Sequence, residues 1–300
     1  MRTKTYLFAL MTMALTLGSC SADENGIGGE TSKYITVSTS IGNMTRVATD
    51  ANGGQTFEEG DEISVYAWTG APTVAPETSE RVVNNAINKL TNGSWVSTPQ
   101  MLWKNNRDKH YFIGVYPTAV ISDLSAGEYT FDVNKQTESD LLVAVNKDGL
   151  SYNADAQQTV PLTFTHVMAK LAVKLTYKNQ WGGIPTVEKV VVGNAAKEAT
   201  INYLTKVVTP STTAKEDFSL PEITENTKYV SVIIPQEEVK QLTIVIGGKN
   251  FVYDNGTPFK LESGKITTVN LEVGRDEIKL GDVKITDWED GSTFSGEAIN

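Results

Sequence analysis

The side chains of this chain that could do covalent or metal chemistry are few and far apart. Among 300 residues there is one cysteine, Cys20, and there are two histidines, His110 and His166. A single thiol closes no intrachain disulfide, and with two imidazoles it falls short of a Cys/His zinc site. No serine nucleophile motif stands near His166, which therefore reads as a packed or capping residue. Acids are plentiful. Glu58, Glu59, Asp61 and Glu62 crowd a Gly60/Asp61 turn, where nothing nearby forces a carboxylate into a dry pocket, so a solvated hairpin approach is expected. Asp287, Glu289, Asp290 and Gly291 lack the ligand spacing of a calcium loop. Gly26, Gly28 and Gly29 have no strand before them and no helix after, so they form no phosphate-binding fingerprint. Two carboxylates paired across space, as in a glycosidase, are left open by the sequence. The expectation is a protein without enzymatic activity, cofactor or metal.

One covalent chemistry does have a recognisable setting. Arg2 and Lys4 precede an apolar run, Tyr6 to Leu17, too short to span a bilayer and of the right length for the core of a signal peptide. Leu17, Gly18, Ser19 and Cys20 then resemble the bacterial lipobox, in which two small residues after an aliphatic one bring a peptidase to a cysteine whose sulfur is acylated. The bland alternative is an ordinary secretory leader with a stray cysteine. On the lipobox reading residues 1–19 are a lipoprotein signal peptide, residues 20–33 a flexible tether, and palmitate-type chains on Cys20 supply the membrane affinity. Ser21 to Glu24 look like the export signal of surface lipoproteins in Bacteroidetes, or simply like the start of that tether. The formal charge is −10, and loss of a leader carrying two cations and no acid takes it to −12. Such an acidic surface argues against binding a phosphate backbone.

Positioning falls to strands. Tyr34 to Thr49 opens with Ile35, Val37, Thr39 and Ile41 at every second position, which predicts a strand with one apolar face. It runs straight into Gly42, Asn43 and Arg46. Ile63, Val65 and Ala67 alternate after the acidic turn, and Asn92-Gly93 between strand-like flanks predicts a tight hairpin. Tyr111 to Tyr116, Tyr129 to Val133 and Leu141 to Val145 add short strands, and no helical period is sustained between them, as in a β-sandwich. Leu162 and Phe164 then occupy even positions while Val167, Ala169, Leu171, Val173 and Leu175 occupy odd ones. One strand cannot bury both sets on one face, so a bulge or a crossing between sheets is expected near Thr165 and His166.

The second half repeats this pattern. Val187–Gly193, Ala199–Val208, Tyr229–Ile234, Leu242–Ile246, Phe251 to Tyr253, Phe259–Leu261 and Ile266–Val273 all read as strands. In the closing stretch, Glu277 to Trp288, Ile278 and Leu280 are separated from Val283 and Ile285 by Gly281. It reads either as the last strand of its own sandwich or as a strand offered to a neighbouring subunit.

Taken together, the lipobox, Thr45-Arg46, FEEGDEISVYAW from Phe57, FIGVYP from Phe112, DLLVA from Asp140, LTFTHVMAKLAVKL from Leu162, IPQ from Ile234 and LESGKITTVNLEV from Leu261 resemble the Bacteroidales fimbrillins, the FimA- and Mfa-like subunits of type V pili. The resemblance implies two transthyretin-like β-sandwich domains in tandem, residues 34–164 and 165–300. It implies a lipoprotein exported to the outer membrane, then cut by an arginine-specific protease. On this chain the cut follows Arg46 and leaves Val47 first, removing the strand of Ile35, Val37, Thr39 and Ile41. Polymerisation with other pilin subunits by strand exchange follows, with Ile278, Leu280, Val283 and Ile285 as the candidate donor. The rival expectation is a surface lipoprotein or tip adhesin that binds glycan or host protein without polymerising. On that reading Trp68, Trp95, Trp103, Trp181 and Trp288 could line a sugar platform, though aromatic residues in strands usually belong to the core.

Overall fold

The computed structural model describes residues 33–42, 56–153, 158–254 and 258–288. These residues are all-β, with two single-turn 3-10 helices and no α-helix among them. The strands of the first half are β1 (Thr36–Ile41), β2 (Glu62–Thr69), β3 (Val83–Thr91), β4 (Ser94–Thr98), β5 (His110–Tyr116), β6 (Gly127–Thr130), β7 (Leu142–Leu150) and β8 (Thr159–His166). Then come β9 (Ala169–Tyr177), β10 (Lys189–Ala196), β11 (Glu198–Asn202), β12 (Val207–Pro210), β13 (Lys215–Ser219), β14 (Glu222–Thr224), β15 (Lys228–Ile233), β16 (Gln236–Val239), β17 (Gln241–Ile246), β18 (Lys249–Tyr253), β19 (Phe259–Leu261), β20 (Lys265–Val273) and β21 (Ile278–Asp287).

A seven-stranded sheet in the order β1-β8-β7-β5-β2-β3-β4 dominates the first half. Its pairs are antiparallel except the outermost, where β1 lies parallel to β8. The sheet curls until its two ends meet: Ile35 N–H donates to Met101 O at 3.0 Å, and Trp103 N–H donates to Lys33 O at 3.2 Å. Inside the curl lies a core of Ile35, Val37, Ile63, Val65, Phe112, Phe164 and their neighbours. The opposite face is buried too. Tyr66, Trp68, Ile113 and Val115 point from it into a second core that continues through the later strands. This explains why β2 is buried at six consecutive positions, where its alternation predicts one apolar face. Gly114 makes the close packing possible, since a Cβ there would lie 2.6 Å from Phe164 Cζ.

The expected break of phase near Thr165 and His166 is a crossing between sheets. β8 ends at His166 with Val160, Leu162 and Phe164 in the first core, and β9 starts at Ala169 with Leu171 and Val173 in the second. The remaining sheets are β14-β15-β9-β20-β21, β13-β10-β17-β18, β12-β11-β6 and the pair β16-β19. β6 pairs with β11, so backbone ladders as well as packing link residues on either side of the crossing. The Asn92-Gly93 turn forms as expected, with φ of 51° and 72°, joining β3 to β4.

Several strands go beyond the sequence reading. Ala199 to Val208 is a hairpin of β11 and β12 rather than one strand. β7 continues past Val145 to Leu150. Lys215–Ser219 and Glu222–Thr224 form sheet edges whose exposed polar side chains carry almost no alternation.

Candidate functional site: the first strand and its slot

β1 occupies an edge, yet its side chains are built into the core. Ile35 and Val37 are 1% and 6% exposed, and Ile41 packs half-buried against the same cluster. Thr39 is half-buried and its Oγ1 accepts a hydrogen bond from Trp95 Nε1 at 3.0 Å, across the gap to β4. On the other side Thr36 to Ile41 run in register with Thr159 to Phe164. Ser40 Oγ donates to Thr163 Oγ1 at 3.2 Å, and Gly42 N–H donates to Phe164 O at 2.8 Å. Gly42 allows that contact, because a Cβ there would meet Thr163 Cγ2 at 2.8 Å.

Beyond the bonds near Ile35, β1 and β4 face each other across a cleft of about 630 Å³ floored by Val37, Thr39, Leu90 and Trp95. Phe57 stands at its end, edge-on to Trp95, Tyr116 and Phe164 at 5.1 to 5.4 Å between ring centroids. From Ile41 and Phe57 a second groove, of about 550 Å³, leads across Leu142 onto Val230, Val232 and Ile223 of the second half. The two share Ile41, Thr56 and Phe57 in their linings, so they adjoin at the end of β1. Withdrawal of β1 would lay open one side of a dry core and a row of β8 backbone groups, each costly to leave unpaired away from water.

β21, the candidate donor, lies antiparallel at the open edge of its sheet beside β20. Ile278, Leu280, Val283 and Ile285 pair with Val273, Leu271, Val269 and Thr267. Register shifts by one residue between the two pairs, so the bulge at Gly281 and Asp282 returns all four side chains to the same face. That face is poorly covered: Val283 is 37% and Ile285 40% exposed.

The remaining candidates resolve into structure. Glu59 accepts the Asn92 N–H at 2.7 Å, Asp61 accepts the Glu58 N–H at 2.7 Å, and Glu62 pairs with Lys89 at 3.0 Å, so these acids brace the β3–β4 hairpin. No group of three or more His, Cys, Asp or Glu among the described residues is arranged to hold a metal ion. His166 is buried, with Nδ1 2.8 Å from Asp140 Oδ1 and its ring stacked on Trp288. Trp68, Trp103 and Trp288 are buried while Trp95 and Trp181 are half-buried, so the tryptophans line no exposed platform. Arg81 is buried, whereas Arg107 and Arg275 are exposed in turns. Cys20, Arg46 and Val47 lie outside the described residues. Sequence reasoning missed Met101 to Trp103, which closes the curl over β1. Its signal was a three-residue alternation, Met101 and Trp103 buried and Leu102 exposed, too short to stand out.

The described residues thus form an all-β fold whose first strand is an edge strand with buried side chains. Residues 45–288 match the fimbrillin-like family, and the chain belongs to it. The match begins just beyond β1. Among solved structures, a protein from Bacteroides ovatus provisionally assigned to cell adhesion shares the fold at a TM-score of 0.63 and 18% identity, over 85% of this chain and 98% of that one. One with the same provisional assignment from Bacteroides uniformis aligns at 0.60 and 20%, over 78% and 93%. A fimbrial protein from Bacteroides vulgatus aligns at 0.50 and 13%, over 75% and 92%. At such identities the likeness is one of fold. No curated protein matches the chain.

Proposed function

We propose that this chain is the precursor of a type V pilus subunit, lipidated at Cys20, cut after Arg46 and assembled by exchange of β1 for a strand of another subunit. In this reading residues 34–164 and 165–300 form two transthyretin-like sandwiches, and the mature subunit works at the cell surface as part of a fimbrium. One observation carries the reading: β1 is an edge strand with buried Ile35 and Val37, joined to the fold in parallel and therefore without a hairpin. Such a strand can be severed without cutting any other ladder. The segment between Gly42 and Thr56 holds Arg46, and the family match starts at residue 45, past the strand to be lost.

The physics of exchange is that of an unpaired edge. Losing β1 exposes apolar side chains worth about 1.5–3 kcal/mol each when buried, together with ladder groups worth about 1 kcal/mol net per bond. An incoming strand with alternating apolar residues restores both. β21 carries four such residues on one face, and the groove beside Ile41 reaches Val230 and Val232 of the second half. Cleavage also separates the lipidated segment, which couples release from the outer membrane to activation.

Arg46→Ala tests the scheme directly. It should leave a membrane-bound monomer, while the unaltered protein recovered from cell surfaces should begin at Val47. Normal polymers from the variant would end the processing scheme. Surface protein beginning with an acylated Cys20 would make the chain an anchor subunit or a non-polymerising adhesin instead.

A further inference from the structure

We propose that Trp288 is a latch that holds β21 on its own molecule, so that the strand is freed by loss of one buried contact. The inference rests on the reading of β21 as a transferable strand. No residue of β21 is fully buried, and among the described residues its one backbone ladder is with β20. Its end ion pairs, Lys178 with Glu277 and Lys265 with Asp287, lie at the surface with both carboxylates about half exposed, and surface pairs contribute little. The next residue differs sharply: Trp288 is 6% exposed.

The indole is gripped from both halves of the fold. It stacks on His166, the last residue of β8, at 4.0 Å and 7° between planes. Lys170 of β9 places Nζ 4.1 Å from the ring centroid, within cation–π range. Asp140 holds the imidazole at 2.8 Å; the hydrogen bond to Gly264 O, at 3.0 Å, comes from the backbone N–H of Trp288, so the indole itself is held by its ring contacts. Ile278 and Leu280 pack half-buried against the second core at the start of the strand, so its far end, from Val283 to Asp287, is fastened by the one side chain just past it. Without Trp288 that far end keeps a single exposed ladder, the kind of element that opens locally while the body stays folded.

Hydrogen exchange on the full chain tests this. In Trp288→Ala the amides of residues 283–287 should exchange at least about tenfold faster while those of β9 and β5 keep their protection, and Trp288→Phe should restore most of the difference by keeping a stacked ring. Unchanged exchange in β21 would overturn the latch. So would an equal rise across β9 and β5, since Trp288 would then be an ordinary core residue. Mixing each variant with chains cut after residue 46 separates the two ideas. Faster exchange with no faster polymer growth would leave the latch standing and remove β21 as the donor.

Discussion

His110 shows how one buried side chain records its protonation state in its contacts. It is fully buried on β5, its Nε2 accepts the Lys104 N–H at 3.0 Å, and its Nδ1 lies 3.1 Å from Asp108 O. The arrangement suits a neutral ring, donating at Nδ1 and accepting at Nε2. Burial accordingly holds its pKa below the ordinary 6.5. Because the folded value lies below the unfolded one, the ring's contribution is complete above pH 6.5 and is lost as pH falls from there toward the folded value. Urea midpoints measured at pH 7.5 and 5.5 should therefore fall less in His110→Asn than in the unaltered protein. An equal fall would show that the ring does not resist protonation. Gly114 supplies a second test at this scale. Gly114→Ala places a methyl against the buried Phe164 ring and should cost about 1–3 kcal/mol in chemical denaturation.

At the scale of elements, β1 and β21 are both edge strands, but they are fastened differently. β1 is held by buried side chains along its length, β21 by its ladder, by half-buried Ile278 and Leu280 at its start and by the residue after its end. Placing a charge in the first slot with Val37→Asp should detach β1 and leave the body intact. Residues 33–42 would then exchange freely while β5 and β9 stay protected; global unfolding would show instead that the sheet cannot close without β1. The alternation of Ile35, Val37 and Ile41 made β1 legible in the sequence, as the phase break at Thr165 made the change of sheet legible. The acidic stretch forms the expected turn, but it leads into β2 without an antiparallel partner before it, so it is no hairpin. What stayed hidden depends on contacts across long separations. The bulge that brings Leu280 and Val283 to one face shows only as a glycine in a broken alternation. The burial of Trp288 requires His166 and Lys170, more than a hundred residues away. Strands such as β13, with Phe218 as its one buried residue, are set by their neighbours rather than by their own composition.

The molecule as a whole is joined across its midpoint. β6 pairs with β11, Phe131 meets Phe218 edge-on at 5.0 Å, and the second core takes residues from both sides of the crossing at His166. Scanning calorimetry should therefore give one cooperative transition, whereas two resolved peaks would mean that the shared core does not couple the halves. Phe218→Ala should lower that transition, at a cost of about 3–5 kcal/mol.

The parallel pairing of β1 with β8 also bears on how the chain is made. Thr36 and Thr159 face each other across 123 residues of sequence, so the first strand to leave the ribosome is completed by a partner synthesised much later. At about 5–20 residues per second that interval is roughly 6–25 s. For that time β1 lacks the one strand it pairs with along its length, and only the contacts of Lys33 to Ile35 with Met101 to Trp103 are within reach of the chain already made.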